Sequence, residues 1–398
     1  MRPGVALVVV ALTAAGFLCR AGIAWPAPGI PAADDVVLER LPARPGDPVQ
    51  RELRELRDAL ARNPRDPLRA IELARRQFSL ALAEGDPRHI GYAQAALGGL
   101  PEATEASAEV LVVRAQLAQY RHDFARALAL LDRARVIEPD NREALSWSAA
   151  VRMVQADYAG ARQDCEQLAR AADELLGTAC LARVAAATGS LRAAYTRLSN
   201  ALARHPGARP TLKLWVTTLL ADMAQRLDDP RAADAHYRAA LALDEPDQYL
   251  LAAYGEFLLD ERRPAEAALL LRGWERSDTL LFLIARAAKA LGSAETPRLA
   301  SALKARYAAA DQRGERLHAQ DESRFRLEFL ADAGGALALA LQNWTDQREA
   351  ADARILLEAA LAAEAPQQAQ PALDWLASSG FEDARLARLA AGLKALGR

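Results

Sequence analysis

The sequence predicts an all-α fold, an α-solenoid in which antiparallel helix pairs stack on one another. Small residues recur at intervals of about 34 residues between positions 106 and 274, a length that holds two helices of roughly 12 to 15 residues with their turns. Runs of alternating β-branched residues bounded by turns are absent, so a sheet is not expected. Hydrophobic residues make up 52% of the chain but aromatic residues only 6%, the balance expected where Ala and Leu fill helix interfaces.

The repeat has three small positions, and the clearest is an alanine. It recurs at intervals of 34, 33, 39 and 34 residues, at Ala127, Ala161, Ala194, Ala233 and Ala267. The position upstream of it reads Ala115, Ala149, Ala182, Ala221 and Gly255, and the one downstream reads Ala134, Leu168, Ala201, Ala240 and Trp274. Because only small side chains let two helix axes approach closely, we expect these positions at helix contacts. The larger Leu168 and Trp274 predict locally splayed pairs, and an insertion over residues 206–210 explains the one long interval.

The clearest single unit reads FARALALLDRARVIEPDN, in which Phe124 opens a second helix and Pro139 closes it. Tyr158 takes the place of Phe124 one repeat later. Units of this length and pattern resemble tetratricopeptide repeats (TPRs). The resemblance covers residues 108–274 and implies a TPR-like superhelix whose first helices line a concave face that binds other proteins. The lead-in and the segment GDPRHIGYAQAAL also resemble exported proteobacterial proteins of this repeat class.

The chain is predicted to have five segments. They are a signal peptide over 1–24, a Pro-rich lead-in over 25–48, capping and divergent repeat helices over 49–105, the TPR-like array over 106–274, and divergent helical repeats over 275–398.

The N-terminus predicts export. Arg2 precedes an apolar run over residues 5–18, which is short for a bilayer span of about 20 residues but suits a secretory segment. Small residues over 22–24 favour cleavage before Trp25 and a periplasmic or otherwise exported protein. The main alternative is an uncleaved segment that anchors the protein in the inner membrane, facing the periplasm, and only then would the chain contact a membrane. Cys19 lacks the lipobox of a lipoprotein before it.

Neither the composition nor the motifs of the sequence indicate a catalytic site. The formal net charge of −2 gives no electrostatic footprint for nucleic acid. The five histidines are scattered without the spacing of a metal site, and no phosphate-binding glycine loop or G-x-S-x-G sequence occurs. We therefore expect no cofactor, no metal ion and no enzymatic activity.

Partner-binding residues are predicted on the first helices, one or a few positions beyond the upstream small residue. They are Gln116, Gln119, Tyr120, Arg183, Asp222, Arg226 and Glu256. Trp147 and Met153 lie near the same stripe. Aromatic and arginine side chains often dominate protein contacts, but any of these residues could instead pack between repeats. The set lacks the Lys and Arg clamp with which some TPR domains hold a C-terminal carboxylate.

Two cysteines are placed to pair. Cys165 falls on the second helix of one repeat and Cys180 on the first helix of the next, and such helices are neighbours in a stacked array. An exported protein meets an oxidising environment, which favours a disulfide. The alternative is two small buried thiols.

These observations favour a protein-interaction scaffold of the cell envelope with protein or peptide partners. The first alternative is an assembly factor tethered to the membrane by its N-terminal segment. The second is an enzyme subunit whose chemistry resides in the divergent C-terminal region.

The export hypothesis makes a direct prediction about the mature N-terminus. Signal peptidase reads small residues just before the cleavage site, so the native protein should begin at Trp25 and fractionate with the periplasm. N-terminal sequencing of the purified native chain measures this. A chain that keeps Met1 and sediments with membranes would instead support the tethered alternative.

Overall fold

A computed structural model of the chain describes residues 47–100, 107–243, 247–312 and 319–396. The predicted signal peptide and its cleavage site before Trp25 lie outside the described residues. The chain divides into two compact units, residues 1–52 and Leu53–Arg398. The described residues of the first unit form the start of a helix, where the Asp47 carboxylate accepts a hydrogen bond of 2.9 Å from the Val49 N–H. The helix pairs all lie in the second unit.

All regular structure in the described residues is helical, as the sequence predicts. The helices are α1 (Pro48–Arg62), α2 (Pro67–Glu84), α3 (Arg88–Leu97), α4 (Ala108–Tyr120), α5 (Phe124–Ile137), α6 (Arg142–Val154), α7 (Tyr158–Ala171), α8 (Glu174–Ala187), α9 (Leu191–Arg204), α10 (Pro210–Arg226), α11 (Pro230–Leu241), α12 (Gln248–Asp260), α13 (Pro264–Leu270), α14 (Asp278–Ala290), α15 (Thr296–Gln312), α16 (Ala319–Phe329), α17 (Ala333–Asp346), α18 (Ala350–Ala362), a 3-10 turn (Pro366–Ala369), α19 (Gln370–Ser379) and α20 (Ala384–Leu396).

Consecutive helices pack as pairs, and the pairs stack. α4 packs on α5, α6 on α7, α8 on α9, α10 on α11, and α12 on α13. The first helices of successive pairs contact one another from α2 through α4, α6, α8, α10 and α12 to α14. The all-α solenoid predicted from the 34-residue period is therefore confirmed. The alternation does not stop at residue 274, because α14 and α15 form a further pair.

The small positions of the repeat are buried where helices touch. Ala127, Ala161, Ala233 and Ala267 have no exposed surface. At Gly255 an added Cβ would lie 3.1 Å from the Leu271 side chain, which explains why the smallest residue stands there. Helix axes this close leave no room for longer side chains.

The turns between first and second helices repeat as well. One residue in each turn has a positive φ, in the order His122, Ala156, Gly189, Asp228 and Arg262. The next residue donates its N–H to a carbonyl five positions earlier, as Asp123 does to Ala118 at 3.0 Å and Asp157 to Arg152 at 2.8 Å. This hydrogen bond closes the first helix and offsets the cost of a left-handed residue without a glycine. In three turns the same residue is an Asp that caps the second helix, namely Asp123, Asp157 and Asp229.

Two expectations about the array are corrected. α13 ends after seven residues at Leu270, and Gly273 follows with a φ of 87°. Trp274 therefore lies in the turn before α14 and does not splay a helix pair. The long interval arises only partly in the loop over residues 205–209, since α10 has 17 residues where α6 and α12 have 13.

The C-terminal region contains a helix break that the sequence does not predict. The apolar pattern predicts a single helix from Arg324 to Asn343, but α16 ends at Phe329 and α17 begins at Ala333. Ala331 between them has a φ of 53°, and the Asp332 carboxylate caps α17 by accepting a 2.8 Å hydrogen bond from the Gly335 N–H. An N-cap aspartate after a left-handed residue ends one helix and starts the next.

The array of helix pairs curves so far that a helix near its start contacts a helix near its middle. α2 contacts α12, although many helices separate them in the chain. Gly85, at the end of α2, has a φ of 66°, and a Cβ there would come within 2.6 Å of the Ser277 Cβ. The first helices of this unit therefore enclose a groove instead of forming an open, gently curved surface.

Close helix packing predicts the effect of enlarging one small residue. Ala127→Leu forces extra methylenes between α4 and α5 and should lower the free energy of unfolding by about 1 to 3 kcal/mol. Ala129→Leu is the matched control, because Ala129 is exposed on the same helix. Urea denaturation of both variants measures the difference. Equal stability of the two would show that the assigned register is wrong.

A buried acid in the C-terminal region predicts a pH dependence. Asp352 is 2% exposed and accepts hydrogen bonds from the Asn343 amide at 2.7 Å and the Glu349 N–H at 2.9 Å. Burial first, and then the charge of Glu349, raise the pKa of Asp352 to about 7. Between about pH 4 and that value the folded protein keeps a proton that the unfolded chain, with an ordinary carboxyl pKa of about 3.9, releases.

Rising pH across this window should therefore lower the contribution of Asp352 to stability by about 1.4 kcal/mol per pH unit. Asp352→Asn removes that contribution, so its stability relative to the parent should improve steadily from about pH 4.5 to about pH 6.5. Urea denaturation of both proteins at several pH values measures this. A stability difference that stays constant with pH would contradict the assignment.

Candidate partner-binding groove

Each first helix presents one stripe of side chains to the groove. Counted from the upstream small residue, the stripe lies six residues before it and one and five residues after it. Steps of seven and four residues keep side chains on one face of an α-helix. The early positions are Glu109, Glu143, Leu176, Trp215 and Tyr249; the middle positions are Gln116, Ala150, Arg183, Asp222 and Glu256; the late positions are Tyr120, Val154, Ala187, Arg226 and Asp260.

An apolar pocket lies beside the early and middle positions, between α6, α7, α8 and α10. Its volume is about 330 Å³. Side chains that line it include Trp147, Met153, Leu168, Leu176 and Trp215. Arg183 is the one charged side chain at the pocket among the residues the structure describes. A concave, apolar site with a single charged group is typical of binding sites.

Tyr249 faces the same groove. Its side chain is 64% exposed, yet protein surrounds its hydroxyl closely enough that desolvation, together with the charge of Asp222, raises the pKa of Tyr249. An exposed side chain with protein on several sides of it lies in a concave part of the surface. We call the part of the groove that holds Trp147, Leu176, Trp215 and Tyr249 the open half.

The late positions from Val154 on α6 to Asp260 on α12 are covered by the C-terminal region. We call residues 347–388 the C-terminal cover. Its Arg348 N–H donates to the Val154 carbonyl at 2.8 Å, and the Glu349 carboxylate lies 3.0 Å from Arg183. Further along, Trp375 donates its indole N–H to the Tyr158 hydroxyl at 3.0 Å. The cover therefore runs along the ends of the first helices, from α6 to α12.

Arg226 is the most enclosed of these contacts. Its side chain is 6% exposed, and its guanidinium lies 3.9 Å from the centre of the Phe381 ring. It donates to the Glu382 carbonyl at 3.1 Å and to the Ala186 carbonyl. The Glu382 carboxylate in turn accepts a 2.6 Å hydrogen bond from the Leu191 N–H, the first residue of α9.

A buried charge network joins the cover to α12. The Glu256 carboxylate accepts hydrogen bonds from Arg286 at 2.6 Å, Arg324 at 2.6 Å and Arg354 at 3.1 Å. Burial opposes ionisation of Glu256, but the guanidinium groups of Arg324, Arg286 and Arg354 outweigh it and hold its pKa well below the usual range. Arg354 also pairs with Asp260, at 2.7 and 2.8 Å. Arg354 thus links the two acids of α12 to the C-terminal cover.

Three predicted partner-binding residues do not face open solvent. Arg226 and Glu256 are held by the C-terminal cover and its charge network. Gln116 is 5% exposed and donates to the Glu143 carboxylate at 2.7 Å. Arg226 and Glu256 do not point freely into the groove because the chain's own C-terminal region holds them, and Gln116 does not because it bonds to the neighbouring first helix α6.

The other predicted residues lie partly exposed along the groove. Gln119, Tyr120, Arg183 and Asp222 are half-buried, and Asp222 lies 3.5 Å from the Arg226 guanidinium. Their role in partner binding stays a prediction. Trp215 and Tyr249 were missed, although they stand seven residues before Asp222 and Glu256, which is two helical turns. Extending the predicted stripe toward the helix N-termini would have found them.

The two cysteines meet at the floor of the apolar pocket. Cys165 on α7 and Cys180 on α8 are joined as a disulfide, with their Cα atoms 5.4 Å apart, a separation usual for such bonds. Both residues are buried and line the pocket. The oxidation state of the pair in the cell stays a prediction.

Metal-ligand clusters and membrane-spanning helices are both missing from the described part of the chain. Within ranges 47–100, 107–243, 247–312 and 319–396, no group of three or more His, Cys, Asp or Glu side chains is placed to hold a metal ion. Nor does any described helix combine the length and the apolar character that a membrane span requires.

Comparison with known proteins gives structural likenesses only. No protein-family model matches the chain, and no curated protein matches it by sequence. A tetratricopeptide repeat protein from Parabacteroides merdae has 16% identity and a TM-score of 0.45, over 60% of this chain and 92% of that one. Cut9, in the APC/C hetero-tetramer Cut9-Hcn1, has 14% identity and a TM-score of 0.35, over 82% of this chain and 63% of that one.

Yeast Tom70 has 13% identity and a TM-score of 0.33, over 88% of this chain and 92% of that one. At such identities a likeness concerns the fold alone. The chain's own packing carries the conclusion, since its paired helices, its buried small residues and its recurring turn follow one period. The chain is therefore an all-α, TPR-like solenoid of stacked antiparallel helix pairs.

Proposed function

We propose that this chain is a non-catalytic protein-interaction scaffold of the bacterial cell envelope, which holds a segment of a partner protein in the open half of its groove. The observation that carries the proposal is the apolar pocket with Arg183 at its side and Tyr249 nearby on the same groove. Aromatic and arginine side chains supply most of the energy in many protein contacts. The envelope location rests on the predicted signal peptide.

The open half suits an extended segment for two reasons. Its side chains stand on packed helices, so little conformational entropy is lost on the scaffold side when a partner docks. The C-terminal cover already satisfies the polar groups of Arg226 and Asp260, which leaves the early positions, together with Arg183 and Asp222, as the accessible part of the stripe. This shifts the proposed site toward the helix N-termini and away from Arg226 and Glu256.

Site-specific photo-crosslinking in intact cells tests the proposal. A photoreactive phenylalanine derivative replaces Tyr249 in the full chain, and the matched control carries it at Val136, which is 83% exposed on the second helix α5. We expect discrete crosslinked partner proteins from position 249 and none of them from position 136. Because Arg183 and Asp222 flank the site, changing both to Ala should weaken those crosslinks.

Equal crosslinking from both positions, or crosslinks that the double change leaves intact, would contradict binding in the open half. Circular dichroism and the melting temperature of each variant should match the parent, so that a loss of crosslinks reports on the groove. Fractionation of the crosslinked complexes into the envelope tests the proposed location separately.

A further inference from the structure

We propose that the apolar pocket is also a site for a small amphipathic anion, an unbranched alkyl carboxylate whose chain lies between Trp147 and Trp215 and whose carboxylate binds Arg183. This goes beyond the proposed scaffold function, because it assigns a small-molecule ligand to the chain.

The pocket has the size and the lining that an alkyl chain needs. Its volume of about 330 Å³ lies at the lower end of the range for small-molecule sites, roughly 300 to 1,000 Å³. Helices α6, α7, α8 and α10 contribute Trp147, Met153, Leu168, Leu176 and Trp215 to its wall. Removing an alkyl chain from water among such side chains is favourable in proportion to the area buried.

The charge at the pocket selects an anion. Arg183 is the one charged side chain lining it within the described part of the chain, and its side chain is 29% exposed. One guanidinium nitrogen, Nη2, donates to Glu349 at 3.0 Å. A guanidinium carries five N–H donors in a planar fork that matches a carboxylate. Arg183 can therefore bind a second carboxylate, or exchange Glu349 for it.

The rim also explains why a cation would not fit. No acidic side chain is among the described residues that line the pocket, and the nearby Glu349 carboxylate is already paired with Arg183 at 3.0 Å, so an alkylammonium head in the pocket would lie beside a guanidinium. Like charges in contact repel, and the penalty grows where solvent is partly excluded. The proposed ligand thus has an apolar chain and an anionic head, and a neutral or cationic head should bind more weakly.

Titration calorimetry on the full-length mature protein tests the site with defined probes, below the micelle-forming concentrations of the two ions and within the solubility of the alcohol. Decanoate should bind more tightly than decan-1-ol, and decyltrimethylammonium more weakly than either. Each methylene removed from the carboxylate should weaken binding about fourfold, so octanoate should bind about 15-fold more weakly than decanoate. Fluorescence of Trp147 and Trp215 should change on binding.

Matched variants separate the head from the chain. Arg183→Gln should weaken decanoate about fivefold and leave decan-1-ol unchanged, whereas Arg192→Gln, an exposed arginine on α9, should change neither. Glu349→Gln should strengthen decanoate by releasing Arg183. Trp215→Ala should weaken both probes, and Trp274→Ala, outside the pocket, should not.

Three results would overturn the proposal: no binding of decanoate, equal binding of all three head groups, or the same decanoate affinity in Arg183→Gln as in the parent. The probe series needs only the unaltered protein, so a variant that misfolds does not decide the outcome. If photo-crosslinking from position 249 still captures partners while decanoate fails to bind, the alkyl carboxylate site is overturned and the scaffold function stands.

Discussion

The close approach of helices at small residues is the constraint on which the rest of the structure depends. Once Ala127, Ala161 and their equivalents face a neighbouring helix, the 3.6-residue turn of the α-helix fixes where every other side chain points. The groove stripe is then determined, because it lies at constant offsets from the upstream small residue. Packing therefore sets the position of Trp215, Arg183 and Tyr249 before any partner is considered.

The C-terminal cover changes what that stripe can do. Buried ion pairs seldom add much stability, since desolvation consumes most of the Coulomb energy, but leaving one partner alone is costly. Glu256 meets three guanidinium groups and Asp260 meets Arg354 and Arg385. Such a network favours the docking arrangement of the C-terminal helices in which each of these charges is paired. The late positions thus act as an internal interface.

The sequence predicted local features well and distant ones poorly. Three features depend on contacts within one or two repeats, so the spacing of residues indicates them. They are the 34-residue period, the start of α5 at Phe124 and the proximity of Cys165 to Cys180. Arg226 bonds to Glu382, 156 residues away, and no periodicity indicates such a contact. The break at Ala331 was missed because a left-handed alanine, unlike a glycine, leaves no mark in the composition. Trp215 and Tyr249 were recoverable from the helical period, but the predicted stripe was not extended to the helix N-termini.

The pair of Arg183 and Glu349 lies where the open half of the groove meets the C-terminal cover. The free energy of this ion pair decides whether breaking it could release the cover. Its two side chains are 29% and 42% exposed, and exposed ion pairs contribute about 0 to 1 kcal/mol. Exchange of Glu349 for another carboxylate would therefore couple the pocket to the cover by about fivefold at most. The cover is held independently by Arg226 against Phe381, by Trp375 on Tyr158, and by Arg354 on Asp260. Because these contacts are buried and numerous, losing one exposed pair cannot release the cover. Arg183 can therefore exchange Glu349 for a ligand in the groove while the C-terminal cover stays docked.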